Sequence, residues 1–429
     1  MAIVLKNLAS RAQFYAGRFA FQGPVLTEAC QPNTRLVVVI PCHDEPDLLT
    51  TLASLYKADP TLYPVEVITV INHARQAPEA VRQGNLATLK AARQWQAEHV
   101  HPKRRFHFIY APDLPPKDAG VGLARKIGMD EALMRLASQN QNGGIVCLDA
   151  DCEVAPNYLA ALEAVFTQDC PPASVSIYFE HPFPTEIALR EGIVQYELFL
   201  RYYVEALRWA GYPYAFHTVG SSMAVRADVY ARSGGMNRRK AGEDFYFLHK
   251  IAPLGAHYAL CHTAVYPSPR VSHRVPFGTG KAQEKWLRQK QTPLSTYSGA
   301  IFKDLRKWLS QIKKLYLANE TQFEAQYGHW PEGIRQFFPM DKFCGIHREI
   351  RQKSSTETIY FKHLFARLDG FQMLKMVHFL RDKVYGEEPI EEAAFALARQ
   401  LGYSDRASEA TDLLHWYRHR EKSNLALTC

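Results

Sequence analysis

Short apolar runs alternate with amphipathic segments between Arg35 and Tyr266. Apolar runs of about four to eight residues, bounded by polar residues, glycine or proline, are typical of buried strands. The pattern predicts strands at Leu36–Ile40, Val65–Ile71, Phe106–Tyr110, Ile145–Leu148, Val175–Phe179 and Tyr258–Tyr266.

Amphipathic segments separate these strands. Apolar residues at helical spacing predict helices over Asp47–Tyr56 and Val121–Ala137, and another that begins at Pro156, since proline is favoured in the first turn. Strands that alternate with helices predict an α/β protein with a mostly parallel sheet. In such sheets, ligands bind beyond the carboxyl ends of the strands.

After about residue 281 the apolar positions repeat only at helical spacing, as at Ile301, Leu305 and Leu309, and no strand is predicted. One segment, Tyr297–Ala318, combines lysines with aliphatic residues. Such a helix either lies on a membrane surface or packs on a core, and packing is the commoner outcome. The predicted divisions are an N-terminal helical extension at 1–34, an α/β domain at 35–280 and a helical C-terminal region at 281–429.

Composition places the chain among ordinary globular proteins. It has 429 residues, of which 47% are hydrophobic and 22% charged, enough for one large or two medium domains. No apolar run is long enough to cross a membrane, and residues 1–20 lack the apolar core of a signal peptide. We therefore expect a cytoplasmic protein, with peripheral contact at the inner face of the membrane as an alternative.

The net charge and the cysteine spacing limit the kinds of partner and metal that are expected. The net charge of +8 suits anionic ligands or a membrane surface, and also plain solubility. No dense Lys/Arg tract or nucleic-acid-binding motif is present, so we expect no nucleic-acid partner. The eight cysteines stand singly, without Cys-x-x-Cys, so neither zinc nor a disulfide framework is expected.

The stretch from Ile145 to Asp151 is the most informative, because Asp149 and Asp151 follow a short apolar run. On an extended strand end, residues i and i+2 point the same way. Two carboxylates on one side repel each other unless a cation lies between them, and Mg²⁺ or Mn²⁺ fills that role together with substrate phosphates. The alternative is a strand that simply ends in a polar turn.

Polar groups also follow the first predicted strand, in the loop Pro41-Cys42-His43-Asp44-Glu45. A loop that leads into a helix suits phosphate or base binding, which makes Pro41, His43 and Glu45 candidates for nucleotide contacts. The alternative is a solvated turn with Asp47 as a helix cap.

Two acids begin a later helix, at Glu243 and Asp244. Such acids either stabilise the helix dipole or supply a catalytic base within reach of an acceptor hydroxyl. The preceding stretch is glycine-rich and basic, so we expect Arg238 and Arg239 to contact phosphate after the donor binds, as residues of a mobile lid do. His273, just beyond the last strand, is a candidate third metal ligand, although most single histidines have no such role.

The ordered set of these stretches resembles a family 2 glycosyltransferase of the GT-A fold over Arg35–Arg274. The resemblance implies a Rossmann-like sheet flanked by helices, a nucleotide-sugar donor, a hydroxyl acceptor (glycan, lipid or small molecule), inversion, and Mn²⁺ or Mg²⁺. The residues that carry it are Glu45, Asp149-Ala150-Asp151, Gly220 to Arg226, Gly234-Gly235, Glu243-Asp244, Pro267 and His273.

By match to the family's motifs, Asp151 is the principal metal ligand, Asp149 is its partner near the ribose or metal, and Asp244 is the base. The glycine-rich segment at 120–126 matches a basic helix start of the family, which implies that Arg125 or Lys126 lies near the diphosphate. Asn72 stands where the family usually has an aspartate that contacts the base, and this departure puts a uracil preference in doubt.

Two other functions remain open. A sugar nucleotidyltransferase also uses an α/β sheet, paired acids and Mg²⁺, but it usually has a glycine-rich basic loop after the first strand, where this chain has acids. A catalytically inactive member that only binds a nucleotide or glycan is the second, and the intact Glu243-Asp244 pair favours an active enzyme.

Overall fold

Strands and helices alternate along the first part of the chain, as the apolar pattern predicts. The computed structural model describes residues 7–272, 274, 277–289, 292–404 and 409–423. Among these residues, the strands are β1 Leu36–Cys42, β2 Val65–Ala74, β3 Arg104–Leu114, β4 Gly144–Cys147, β5 Cys152–Val154, β6 Ser174–Phe179, β7 Met223–Arg226, β8 His257–Pro267, β9 Ser295–Tyr297 and β10 Glu387–Pro389.

Helices make up most of the remainder. They are α1 Leu8–Arg18, α2 Leu48–Lys57, α3 Glu79–Glu98, α4 Val121–Ser138, α5 Tyr158–Phe166, α6 Ile187–Ala210, α7 Ala227–Arg232, α8 Glu243–Ile251, α9 Thr279–Arg288, α10 Gly299–Ile312, α11 Glu320–Gly328, α12 Glu332–Phe337, α13 Met340–Gln352, α14 Glu357–Arg367, α15 Gly370–Leu380, α16 Ile390–Gln400 and α17 Ala410–Ser423. Short 3₁₀ turns lie at Ala252–Leu254 and Leu315–Leu317, and a π turn lies at Arg381–Tyr385.

Strands β1 to β8 form one mixed sheet in the order β3-β2-β1-β4-β7-β6-β8-β5. The pairs β1–β2, β1–β4, β2–β3 and β6–β8 are parallel, whereas β4–β7, β6–β7 and β5–β8 are antiparallel. The predicted α/β class is therefore confirmed. Because β1 is paired in parallel on both sides, its carboxyl end lies beside those of β2 and β4, where the candidate residues are.

The structure corrects several strand predictions. β1 continues through Pro41, which pairs with Val70, and β2 continues past Ile71 through Asn72. β5 and β7 were not predicted because each is short and contains a charged residue, Glu153 and Arg226, which interrupts the apolar run. The helical region also contains the paired strands β9 and β10, contrary to the expectation of none; their sequences, Ser-Thr-Tyr and Glu-Glu-Pro, lack a strand pattern.

The chain divides by its internal contacts into two compact units. Unit 1 consists of Met1–Pro182, Thr218–Gly278 and Glu421–Cys429 and holds the eight-stranded sheet. Unit 2 consists of Phe183–His217 and Thr279–Arg420, and β9 and β10 are the strands among its described residues, whose other regular elements are helices. This division differs from the predicted boundaries at 34 and 280 in placing α6 with the C-terminal helices.

The apolar face of α10 packs into the core of unit 2, so the packing alternative for Tyr297–Ala318 is the one observed. Its six apolar residues on that face are at most 1% exposed: Ile301, Phe302, Leu305, Trp308, Leu309 and Ile312. Within the residues described, no helix has the length and apolar character needed to span a membrane.

Candidate functional site

Asp149 and Asp151 lie in a tight turn between β4 and β5. The turn is closed by a 3.2 Å hydrogen bond from the Cys152 amide to the Asp149 carbonyl. The expectation that both acids continue an extended strand is therefore wrong. Thr51 of α2 donates to the Ala150 carbonyl (2.9 Å), and the Ser268 amide, just after β8, donates to the Asp151 carbonyl (3.1 Å). Three elements thus fix the turn from different sides.

A buried guanidinium links the two predicted acidic motifs. Arg125, in the second turn of α4, donates through one nitrogen to Asp149 and through another to Glu243. Its side chain is 3% exposed, whereas the Asp149 side chain is 36% exposed. Burial alone would lower the pKa of Arg125, but Asp149 and Asp244 keep it above its ordinary value. Arg125 is therefore a permanent cation beneath the site.

Gly220 makes room for this guanidinium. A Cβ atom at position 220 would lie 2.5 Å from two nitrogens of Arg125, closer than real Cβ contacts allow. The main chain before β7 therefore lies directly against Arg125. A side chain at position 220 would displace the guanidinium from this place, which is a physical reason for the glycine that carried part of the family resemblance.

The two acids at the start of α8 have different surroundings. Glu243 is buried, 2% exposed, and paired with Arg125. Asp244 is half-buried and accepts hydrogen bonds from the amides of Phe245 (2.7 Å) and Gly220. Burial raises the pKa of Asp244 above its ordinary value, although Arg125 and the two amides oppose the shift. Asp244 is therefore the better-exposed acid of the pair, and its pKa is raised.

Two arginines that follow β8 meet the acids of the β1 and β4 ends. Arg270 contacts both carboxylate oxygens of Glu45 at 2.5 Å, and Arg274 also pairs with Glu45. The same guanidinium groups lie 3.6 and 3.8 Å from Asp151. Glu45 is 4% exposed, so its charge is held against a pair of cations.

The residues that follow β1 and β2 are joined by short hydrogen bonds. The His43 ring Nδ1 lies 2.8 Å from the Asn72 carbonyl oxygen, and the Asn85 amide donates to the same oxygen (2.9 Å). Asn85 also accepts from the Asp44 amide (2.9 Å). Pro41 and Asn72 are buried and His43 is exposed. The structure thus brings His43 and Asn72 together at the carboxyl ends of β1 and β2.

The basic segment before α8 covers the start of α4. A Cβ atom on Gly122 would lie 2.2 Å from the Arg239 carbonyl oxygen, so the two backbones are in direct contact. The Arg239 guanidinium lies over the Tyr246 ring, 3.8 Å from its centroid, and Arg238 lies 3.3 Å from Asp118. The Arg238 side chain is 52% exposed and available to a ligand.

Lys126 lies apart from the other candidates. Its ammonium donates to the Tyr15 hydroxyl (2.7 Å) and to Asp130 (3.3 Å). Tyr230 completes this cluster with a hydrogen bond of 2.6 Å to Asp130. The lysine therefore stabilises the contact between α4, α1 and α7, and of the two basic candidates only Arg125 reaches Asp149.

Negative charge exceeds positive charge at the candidate site. Burial, Asp149 and Glu45 raise the pKa of Asp151 to about 6, against the opposing effect of Arg274 and Arg270. Burial is the largest cause of this shift, and the two neighbouring carboxylates add to it. Among the described residues, the charged groups that interact with one another there are six carboxylates, Glu45, Asp47, Asp149, Asp151, Glu243 and Asp244, and three guanidiniums, Arg125, Arg270 and Arg274.

The donor set fits a hard divalent cation only in part without a substrate. Among the described residues, no group of three or more His, Cys, Asp or Glu side chains is arranged to hold a metal. Mg²⁺, however, is usually held by one or two carboxylates together with substrate phosphates. Asp149 and Asp151 can supply the carboxylates. His273, the predicted third ligand, lies outside the described residues.

Sequence analysis missed Arg270 and Arg274 as members of the site. Their spacing of four residues, directly after the last strand of the sheet, is visible in the sequence, but it does not distinguish them from ordinary surface arginines. Arginines are common on protein surfaces. The pairing of these two with Glu45 is therefore visible only in the folded structure.

Comparisons with known proteins add distant structural likenesses. No protein-family model matches the chain, and no curated protein matches it. Among solved structures, Staphylococcus aureus TarS 1–349 in complex with UDP-GlcNAc is 12% identical, covers 86% of this chain and 93% of that chain, and has a TM-score of 0.36. The same protein in complex with UDP is 13% identical, with coverage of 87% and 94% and a TM-score of 0.35. These values are too low to assign this chain a family.

Proposed function

We propose that the protein is a family 2 glycosyltransferase that moves a sugar from a nucleotide-sugar donor to a hydroxyl acceptor, with inversion and with Mn²⁺ or Mg²⁺. One observation carries the proposal: six carboxylates face three guanidiniums beside the ends of β1, β4 and β8 and the start of α8. A diphosphate alone would add to this negative surplus, whereas a diphosphate with a divalent cation is compatible with it.

Asp149 and Asp151 would hold the cation, with His273 as the third ligand. When bound, the cation supplies Lewis-acid stabilisation of the negative charge that develops on the departing diphosphate. Support for Asp151 comes from its raised pKa, because burial and two neighbouring acids make its charge costly without a further cation. Arg270 and Arg274 lie close enough to share Asp151 in the absence of a ligand.

Basic side chains would bind the diphosphate. Arg125 is fixed beneath Asp149, and Arg238 and Arg239 lie on the segment that covers the start of α4. The dipole of α4, whose N-terminal end lies at Gly120, also favours an anion there. Pro41, His43, Glu45 and Asn72 would surround the nucleoside, with the His43 ring fixed by its contact with the Asn72 carbonyl.

Asp244 would take the proton from the acceptor hydroxyl. Its half-buried position leaves it accessible to an acceptor, and its raised pKa makes it a stronger proton acceptor than an ordinary aspartate. Glu243 would act through Arg125, because it is buried against that guanidinium. The acceptor is a hydroxyl of a glycan, a lipid or a small molecule.

The test is a binding and turnover panel of nucleoside diphosphates and sugar nucleotides, with and without Mn²⁺. We expect a melting midpoint that rises with ligand concentration, and rises further with Mn²⁺, since a ligand at about 100 times its Kd adds about 2.7 kcal/mol to stability. Asp151→Asn should remove most of the Mn²⁺ dependence, while Asp169→Asn, in an exposed turn of the same unit, should preserve it.

Three results would contradict the proposal. Equal Mn²⁺-dependent binding by Asp151→Asn would remove that residue from the metal site. Formation of a sugar nucleotide from a sugar phosphate and a nucleoside triphosphate would instead identify a nucleotidyltransferase. Tight binding of a donor that is never cleaved, with any acceptor offered, would indicate an inactive binding protein.

A further inference from the structure

The solvent-facing side of α10 and the turn after it forms a row of cations. We call this row the basic face, and its members are Lys303, Arg306, Lys307, Lys313 and Lys314. All five are exposed, and they recur at helical spacing, so they lie on one side of the segment. From Lys303 to Lys314 the row extends about 16 Å at the rise of an α-helix.

These cations are not neutralised by neighbouring acids. None of the five forms an ion pair with a carboxylate among the residues that the structure describes. Arg306 lies over the Trp209 ring, 4.5 Å from the centroid, and donates to the Trp209 carbonyl, which leaves its charge uncompensated. Asp304, the one acid between Lys303 and Lys314, is engaged by the Tyr385 hydroxyl (2.5 Å).

The opposite side of α10 is fixed in the core of unit 2, where its apolar residues are almost completely buried. The helix therefore cannot turn its apolar face outward and insert it between lipids, as interfacial amphipathic helices do. Any contact between α10 and a membrane must therefore be made by the basic face. At its end, Leu317 is 81% exposed, which places a single apolar side chain beside Lys313 and Lys314.

We propose that the basic face binds an anionic lipid surface. Clusters of exposed Lys and Arg side chains are attracted to negatively charged membrane surfaces. Four of the five members are lysines, whose flexible point charges suit a diffuse negative surface better than the bidentate recognition that arginine provides. This interaction is separate from nucleotide-sugar transfer and stands whether or not the proposed activity is correct.

Co-sedimentation with vesicles tests the proposal. The full chain is mixed with phosphatidylcholine vesicles, with or without phosphatidylglycerol, at low and at high salt. We expect binding only to the anionic vesicles, weakened by salt because exposed charges are screened. Each cation contributes about 1 kcal/mol, about fivefold in affinity, so the combined variant K303Q/K307Q/K314Q should bind about 100-fold more weakly.

A charge-matched variant provides the control. K57Q/K90Q/R93Q removes three exposed cations from α2 and α3 and should bind anionic vesicles as the unaltered chain does. Equal weakening in both variants would mean that overall charge, rather than the basic face, causes binding. Absence of binding to anionic vesicles, or salt-insensitive binding to neutral ones, would also overturn the proposal. Binding of polyglutamate or DNA that only K303Q/K307Q/K314Q loses, without vesicle binding, would assign the face to another partner class.

Discussion

At the scale of single residues, the candidate site depends most on Arg125. Its guanidinium is buried and joins Asp149, from the turn after β4, to Glu243 at the start of α8. Gly220 permits this arrangement by leaving out a side chain. A buried cation with two acidic partners fixes the positions of both, so the spacing between the two acidic motifs is set by a residue that belongs to neither.

The two acids of α8 should respond differently to loss of charge. Asp244→Asn should slow transfer by about 10²–10⁴-fold if Asp244 is the general base, while the melting midpoint changes little. Glu243→Gln should instead lower the free energy of unfolding by about 3–5 kcal/mol, because it removes one partner of a buried ion pair. Both variants are assayed for the rate of product formation and for thermal unfolding. Asp169→Asn, at an exposed site, serves as the control.

The opposite pattern would reassign the base. Near-normal turnover by Asp244→Asn would exclude it, and an inactive but normally stable Glu243→Gln would indicate that Glu243 takes the proton. Gly220→Ala gives an independent check on Arg125, because its Cβ would collide with the guanidinium while leaving every charge in place. We expect it to weaken donor binding without changing the chemistry of either acid.

The four acids of the two acidic motifs, and Arg125, could be named from the sequence, whereas the ion pairs between site residues could not. Asp149, Asp151, Glu243 and Asp244 stand at recognisable positions beside a strand end or a helix start. Pairing of Glu45 with Arg270 joins positions 225 residues apart, and nothing local to either residue indicates the other.

At the scale of elements, α4 shows where an amphipathic pattern is an incomplete guide. The predicted apolar face is buried, but so are the charged residues on the other sides: Arg125, Lys126, Asp130, Glu131 and Arg135. The N-terminal segment covers two of them, with the Val25 amide donating to Glu131 (2.8 Å) and the Phe21 amide to Asp130 (3.1 Å). The polar side of an amphipathic helix is expected to face water. In α4, backbone amides of the N-terminal segment take the place of water at Asp130 and Glu131.

The buried ion pair between Arg135 of α4 and Glu66 of β2 should make the stability of the protein sensitive to acid. Burial would raise the pKa of Glu66 on β2, but Arg135, His107 and the Gln31 amide outweigh that effect and hold it at about 2. A depressed pKa means that the stabilisation is complete above the unfolded value of 4.5 and is lost as the pH falls through about 2. The shift corresponds to about 3 kcal/mol.

Unfolding by denaturant between pH 2 and pH 6 measures this contribution. Glu66→Gln should be less stable than the unaltered chain at pH 6 by about 3–5 kcal/mol, since Arg135 is left buried without its acid. The difference should shrink as the pH falls below 4.5. Glu98→Gln, an exposed site at the end of α3, should show neither effect. A constant difference across this pH range would mean that the Glu66 carboxylate is not the titrating group.

At the scale of the whole molecule, the order of the chain does not match its compact units. Alternation of strands and helices is a local property, so the sequence predicted most of the sheet. Membership of α6 in unit 2 depends on contacts with α9, α10 and α16, which follow it by many residues. The predicted boundary at 280 therefore divides unit 2 between two segments.

This arrangement predicts that residues 1–280 do not form a stable fragment on their own. The fragment would retain α6, whose core residues Val194, Leu198 and Tyr202 are at most 2% exposed in the full chain. Each such side chain contributes about 1.5–3 kcal/mol through burial, and without residues 281–429 their partners are missing. We expect fragment 1–280 to aggregate, or to bind a hydrophobic dye, and co-expression with fragment 281–429 to restore a soluble complex. A monomeric fragment 1–280 with a cooperative unfolding transition, equal in midpoint to that of the full chain, would show that the sheet and its helices fold without the C-terminal region and that the boundary predicted at 280 is the correct one.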